Sequence, residues 1–208
     1  MFEGIIHLPQ YSGEMLDYSS NCFSSMPINI STQLEDTFYF KAARNHLSGN
    51  IPPSFCSIKL EILDLSYNNL NGSIPSCLME DNNALQVLNL KENQLYGQLP
   101  HNVNESCMFE ALDLSGNRIE GQLPRSLASC KYMEVLDIRH NQISDSLPCC
   151  MAALPRFEVL ILKSNKILGQ LSPSVFLDKE DDPRPLHLGD AYGHFIDYSR
   201  GPYKVLQQ

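Results

Sequence analysis

Short apolar triplets punctuate this chain at an even interval. Leu63-Asp64-Leu65, Leu88-Asn89-Leu90, Leu112-Asp113-Leu114, Leu136-Asp137-Ile138 and Leu160-Ile161-Leu162 are the clear copies, and Leu16-Asp17-Tyr18 and Phe40-Lys41-Ala42 are weaker ones. Two apolar residues separated by one point to the same face of an extended segment. Each triplet therefore predicts a short strand, with residues such as Leu112 and Leu114 turned to a core and Asp113 and Ser115 turned to solvent. Three residues further on stands an asparagine. Asn21, Asn45, Asn68, Asn93, Asn117, Asn141 and Asn165 follow one another at intervals of 24, 23, 25, 24, 24 and 24 residues. An apolar-x-Gly-x-apolar-Pro step comes next, as in Leu70-Asn71-Gly72-Ser73-Ile74-Pro75, Leu95-Tyr96-Gly97-Gln98-Leu99-Pro100 and Ile119-Glu120-Gly121-Gln122-Leu123-Pro124.

A fixed period in the range of about 20–29 residues with L-x-x-L-x-L-x-x-N is the signature of leucine-rich repeats. The predicted fold is an α/β repeat solenoid, with short parallel strands on its concave face and an irregular or 3-10 convex side. One coil cannot bury its own apolar side, but stacked coils share a continuous core. Seven strands at ~4.8 Å would give a sheet about 30 Å along the stack. An asparagine amide both donates and accepts, so a ladder of them can satisfy turn backbone groups that would otherwise be buried unpaired. Pro124 lacks an N–H, which suits a part of the coil without a regular ladder.

Composition narrows the function. The formal net charge of −9 over 208 residues argues against nonspecific binding to nucleic acid or anionic membrane surfaces. No apolar run approaches the ~18 residues of a membrane span. The opening Met1-Phe2-Glu3-Gly4-Ile5-Ile6-His7-Leu8-Pro9 has neither the basic n-region nor the long h-region of a signal peptide. Phe2-Glu3-Gly4 instead matches Leu70-Asn71-Gly72, so the chain is expected to begin inside a repeat, without an amino-terminal cap, as a truncated piece of something longer. The solenoid is expected over residues 1–177. Residues 178–208 open on the charged, proline-containing Asp178-Lys179-Glu180-Asp181-Asp182-Pro183-Arg184-Pro185 and are expected to form an irregular tail, with one degraded repeat as the alternative.

The L-x-G-x-I/L-P extension resembles the plant type of leucine-rich repeat. Gly72-Ser73-Ile74-Pro75-Ser76-Cys77-Leu78, Gly121-Gln122-Leu123-Pro124-Arg125-Ser126-Leu127 and Leu160-Ile161-Leu162-Lys163-Ser164-Asn165-Lys166 further resemble plant receptor-like proteins of the disease-resistance kind, over about residues 2–177. The resemblance implies an extracellular region of a plasma-membrane protein. Such a protein would bind a protein or peptide ligand on its concave face and act through a partner receptor kinase in defence or development. A secreted inhibitor of a microbial cell-wall-degrading enzyme is the alternative. So is a truncated product without independent function.

Of the seven cysteines, none forms a C-x-x-C, and no Cys/His spacing suggests zinc. Cys56 with Cys77 and Cys130 with Cys150 join comparable points of adjacent coils and are candidate bridges in an oxidising compartment; burial as free thiols is the other reading. Asn29, Asn71 and Asn104 each open an N-x-S sequon outside a predicted strand and are glycosylation candidates.

Catalysis finds no support. G-x-S-x-G, G-x-G-x-x-G, P-loop and H-E-x-x-H patterns are all missing, the aspartates form a regular solvated column rather than a converging pair, and no cofactor is implied. Recognition finds more. Two residues before each asparagine the chain reads Ser19, Ala43, Ser66, Lys91, Ser115, Arg139, Lys163; one before, Ser20, Arg44, Tyr67, Glu92, Gly116, His140, Ser164. Side by side on a concave face, these columns grow more basic toward the carboxyl end. Tyr67, Lys91, Glu92, Asp137, Arg139, His140 and Lys163 are the candidate ligand contacts. Arg139 and Lys163 would be like-charged neighbours unless Asp137 neutralises one, a pairing that suits a carboxylate-bearing partner. The coil with Asp113, Ser115 and Gly116 is expected to be a spacer.

Overall fold

The computed structural model describes residues 1–9, 13–81, 84–146, 151 and 154–168. The expected tail at 178–208 and Cys150 lie outside these residues. The leucine triplets form one parallel seven-stranded sheet in strictly sequential order: β2 (Met15–Asp17), β4 (Tyr39–Lys41), β6 (Ile62–Asp64), β8 (Val87–Asn89), β10 (Ala111–Asp113), β12 (Val135–Asp137) and β14 (Val159–Ile161). Each coil pairs in register with the next, so that Leu16, Phe40, Leu63, Leu88, Leu112, Leu136 and Leu160 stand in one file. From Phe40 to Leu160 that file is buried, as are Leu65, Leu90 and Leu114 two residues on.

The asparagines close each coil and tie it to its neighbours. The Asn117 Oδ1 accepts the Leu95 N–H of the preceding coil at 3.0 Å. Its Nδ2 donates to the Leu90 carbonyl of that coil at 2.9 Å and to Leu114 and Ser115 of its own at 3.1 and 3.3 Å. Asn45, Asn68, Asn93, Asn141 and Asn165 repeat the arrangement, which supplies partners to turn groups that stacking would otherwise desolvate alone.

The residue before each asparagine is left-handed. Ser20, Arg44, Tyr67, Glu92, His140 and Ser164 have φ between 51° and 60°, and Gly116 has φ 68°. A side chain in this region costs about 1–2 kcal/mol. The strain is offset because the same residue's N–H reaches the next coil: Arg44 donates to Ser66, Tyr67 to Lys91, Glu92 to Ser115 and His140 to Lys163, at 2.8–2.9 Å.

Besides the irregular and 3-10 convex side expected, the segment between each asparagine and the Leu-Pro step carries a ladder of its own. β5 (Ser48–Asn50), β7 (Asn69–Gly72), β9 (Gln94–Gln98), β11 (Arg118–Gly121) and β13 (Gln142–Ile143) form a second parallel sheet along the flank, and β1 (Glu3–Ile5) pairs with β3 (Cys22–Ser25). The reason is periodicity. Leu70, Leu95 and Ile119 are buried while their neighbours are exposed, so the segment is extended and its backbone groups meet those of the adjacent coil. Gly121, at φ 80°, ends the ladder; a Cβ there would stand 2.9 Å from Gln98 Cγ. Pro124 then opens a 3-10 turn (Arg125–Ser129), as Pro52 opens Pro53–Ser57. With Ile30–Gln33 and the short helix α1 (Cys77–Glu80), these make the convex side.

Two disulfides join convex segments of neighbouring coils, Cys56 to Cys77 with Cα atoms 5.7 Å apart and Cys107 to Cys130 at 4.8 Å. The Cys130–Cys150 bridge considered from spacing is therefore corrected. Cys107 occupies the loop of the preceding coil directly under Cys130, and one sulfur makes only one such bond.

Candidate functional site

Outward side chains of successive coils lie about 4.8 Å apart along the concave sheet, so each repeat position becomes a column. The aspartate column is not the solvated stripe expected. Asp64 and Asp137 are buried. Its carboxylates instead close the turn out of each strand: Asp17, Asp64, Asp113 and Asp137 accept the N–H two residues on, at 2.8–3.1 Å, and Asn89 does the same at 3.2 Å. The next columns carry the exposed Arg44 and Lys163, the half-buried Lys91 and Arg139, and the exposed Glu92. Burial pushes the Asp137 carboxyl up to about 6, assisted by Asp113 and opposed by its bond to the Arg139 N–H and by the charges of Arg139 and Lys91. Asp64 is raised for the same first reason, burial, against its hydrogen bonds to Ser66 and the nearby Lys41.

Asp137 takes Arg139, Nε to Oδ2 at 3.2 Å, so the suspected Arg139–Lys163 repulsion is relieved on one side. Lys163 is exposed one coil further, and its carbonyl accepts the His140 N–H at 2.8 Å. Glu92 lays its carboxyl group over Gly116, where an added Cβ would meet its Cδ at 2.6 Å. The bare backbone of that spacer coil is thus used by its neighbour.

The tightest constellation lies toward the amino end. The Tyr67 ring, 37% exposed, stands between two cations from the coils on either side, Arg44 Cζ at 4.5 Å and Lys91 Nζ at 5.5 Å from its centroid. Tyr67 and Lys91 were sequence candidates; Arg44 was not. The signal was present in the even spacing, since Arg44 stands one period before Tyr67 in the same column.

Two further columns escaped the sequence reading. Met15, Tyr39, Ile62, Val87, Ala111, Val135 and Val159 share the outward face of the strands with the aspartates and form an apolar floor. Glu61, Glu110, Glu134 and Glu158 immediately precede their strands, making an acidic edge opposite the cations. The Tyr39 hydroxyl donates to Glu61 Oε2 at 3.0 Å. Burial and then the like charges of Glu110 and Glu158 raise the Glu134 carboxyl, against Arg156.

The three sequon asparagines stay off this face. Asn29 is exposed before the first 3-10 turn, Asn71 is exposed in β7, and Asn104 is partly exposed with its Oδ1 accepting the Ser106 N–H at 2.8 Å. Among the described residues no group of three or more His, Cys, Asp or Glu is placed to hold a metal ion. No described helix is long and apolar enough to cross a membrane.

A profile of the Leucine Rich Repeat family matches residues 59–80 and 109–130, and a second profile of Leucine Rich repeats matches 129–146. Receptor-like protein 6 of Arabidopsis thaliana is 44% identical over 88 residues, which is 42% of this chain and 9% of that relative. The chain thus spans about a tenth of the length of the curated relatives it matches. Among solved structures, the Arabidopsis receptor kinase HAESA in complex with the peptide hormone IDA and the co-receptor SERK1 superposes with a TM-score of 0.75 at 27% identity, over 83% of this chain and 29% of that one. The plant peptide hormone receptor RGFR1 in complex with RGF2 gives a TM-score of 0.73 at 30% identity, over 79% of this chain and 27% of that one.

Proposed function

For a chain that is a plant-type leucine-rich-repeat solenoid similar to receptor-like proteins, we propose that it is a non-catalytic recognition module, whose concave face takes a protein or peptide ligand. It would serve in the extracellular part of a plant cell-surface receptor that acts with a receptor kinase, in defence or developmental signalling. The carrying observation is the division of labour on the concave face. The asparagine ladder and the aspartate caps fix the backbone, while Arg44, Tyr67, Lys91, Arg139, His140 and Lys163 project from it with no structural duty of comparable extent. HAESA was solved with the peptide hormone IDA and the peptide hormone receptor RGFR1 with RGF2, which supports a peptide-sized ligand. Residues 1–177 would be the solenoid and 178–208 a separate tail. Asn29, Asn71 and Asn104 would carry glycans, away from the ligand.

The test is charge reversal on the receptor displayed at the plant cell surface. Lys163→Glu with Arg139→Gln is expected to weaken ligand-dependent association with the receptor kinase. Arg118→Glu, on the flank sheet, is expected to leave it unchanged. Equal behaviour of the two sets would reject the concave face as the binding surface.

A further inference from the structure

We propose that Arg44, Tyr67 and Lys91 form an anchor for carboxylate side chains, and that the segment recognised by this face is an acidic peptide in an extended conformation. The proposal rests on the concave-face reading and adds the chemistry of the partner. Its basis is the state of the two cations. Among the described residues neither Arg44 nor Lys91 has a carboxylate oxygen within 4.0 Å; what each meets is the face of Tyr67. A cation over an exposed ring gains only about 0.5–1 kcal/mol, far less than a charge-assisted pair, so both keep their capacity for an anion. The ring between them holds them apart and in place, and offers its own exposed edge to the stem of an incoming glutamate. Arg44 adds the planar fork that matches a carboxylate with two parallel hydrogen bonds.

The competing internal carboxylates are already committed. Asp64 and Asp113 accept backbone N–H groups at 3.0 Å, and the Glu92 carboxyl group lies over Gly116. The chain as a whole is acidic, at −9. Long polyanions such as nucleic acid would therefore meet net repulsion, whereas a short acidic segment is governed by the local field, because charges are screened beyond ~8 Å at physiological ionic strength. Lys91 and Arg139 occupy one column two coils apart, about 9.6 Å at the strand spacing. Three residues of extended or polyproline chain span about 9–10 Å. Carboxylates three positions apart match that interval, but the Glu92 carboxyl group covers Gly116 and Asp137 already pairs with Arg139, so the contact falls to Arg44 and Lys91, which likewise stand two coils apart with Tyr67 between them.

The experiment is calorimetric titration of the 208-residue chain with a hexaglutamate peptide, with hexaglutamine as the control. Binding of hexaglutamate alone is expected. The Arg44→Gln, Lys91→Gln double variant should weaken it by about tenfold or more, Tyr67→Ala less, and Tyr67→Phe hardly at all, with the melting temperature of each variant measured alongside. Arg44→Lys supplies a milder change should the double variant unfold, and is expected to weaken binding by severalfold through loss of the fork. Several outcomes overturn the proposal. Equal binding of hexaglutamine would remove the acidic specificity. Absence of hexaglutamate binding at millimolar concentration would remove the partner class, while leaving recognition of another chemistry by the same face intact. Full binding in the Arg44 and Lys91 variants together with loss in Lys163→Glu would move the anchor elsewhere on the face. Loss on Arg118→Gln alone would contradict both the anchor and the face.

Discussion

Replacing Asn117 tests whether the asparagine ladder holds the solenoid together. Its amide is buried and makes four hydrogen bonds, one accepted from Leu95 N–H at 3.0 Å and three donated to Leu90, Leu114 and Ser115 carbonyls at 2.9, 3.1 and 3.3 Å. In Asn117→Ala the carbonyls are not stranded. Leu90 keeps the Asn93 amide at 3.1 Å, Leu114 keeps the Asn141 amide at 2.9 Å, and Ser115 keeps the Glu92 N–H at 2.8 Å. The Leu95 N–H loses its acceptor inside the stack. A stranded buried donor costs about 1–3 kcal/mol, and each lost bond with a surviving partner costs less, so the alanine variant should lose about 2–4 kcal/mol. Asn117→Asp is the sharper change. It preserves the acceptor for Leu95 but sets an anionic oxygen against the Leu90 and Leu114 carbonyls, where burial and repulsion add. At pH 7 the aspartate variant should be less stable than the alanine variant by about 1 kcal/mol or more. The gap should narrow in acid, as the protonated carboxyl recovers a donor. Urea unfolding followed by far-ultraviolet circular dichroism measures both. An alanine cost below about 0.5 kcal/mol, or an aspartate variant as stable as the wild type at pH 7, would refute the ladder as a source of stability.

Four further outcomes follow from the same geometry. The folded Asp137 carboxyl titrates at about 6, above its ordinary 3.8, so its contribution to stability is full below about pH 4 and is lost as pH rises through about 6. Asp137→Asn, which keeps the acceptor for the Arg139 N–H, should flatten the pH dependence of the melting temperature in that window; an unaltered slope would contradict the assignment. Gly121→Ala, at φ 80° and 2.9 Å from Gln98 Cγ, should cost about 1–2 kcal/mol; Gly4→Ala, with open space around its Cβ, should cost only the backbone strain, and the two are compared by thermal melts. Leu112→Ala should cost about 2–5 kcal/mol in the same melts. Non-reduced peptide mapping should find Cys56 joined to Cys77 and Cys107 to Cys130. Removing the second bridge by Cys107→Ala with Cys130→Ala should cost about 3 kcal/mol for its loop, and recovery of a Cys130–Cys150 peptide instead would contradict the fold of that convex segment.

The period of the coil was legible because one physical demand, a leucine pair facing a shared core, recurs at every turn. The register of the seven concave strands follows from it directly. The flank sheet was harder to read, since Asn69–Gly72 and Arg118–Gly121 show one buried residue in two over only four positions, and glycine and proline nearby signal a turn more strongly than a strand. The aspartates looked solvated because alternation sends them away from the leucines. Alternation says nothing of the turn two residues on, which draws Asp64 and Asp137 into its own hydrogen bonding. The left-handed column was signalled by glycine only at Gly116; elsewhere serine, arginine, tyrosine, glutamate and histidine accept the strain. Spacing alone favours Cys130 with Cys150, since their interval is close to that of Cys56 with Cys77, whereas the bond is set by the Cys107 loop that lies beneath Cys130. For the site, column reasoning picks out Tyr67 and Lys91 as separate candidates and sets Arg139 near Asp137, while the structure brings Lys91 over the Tyr67 ring. The columns alone miss Arg44, whose part depends on side chains crossing between coils.

Photocrosslinking distinguishes a ligand that meets the concave face from one that meets the flank. Tyr67 and Tyr96 make the direct comparison, being exposed at 37% and 57% on the concave face and the flank sheet respectively. Each is replaced in turn by p-benzoylphenylalanine in the receptor at the plant cell surface, and the cells are irradiated during stimulation. A ligand adduct is expected from position 67 and none from position 96. Adducts from position 96 with none from position 67 would contradict binding at the concave face.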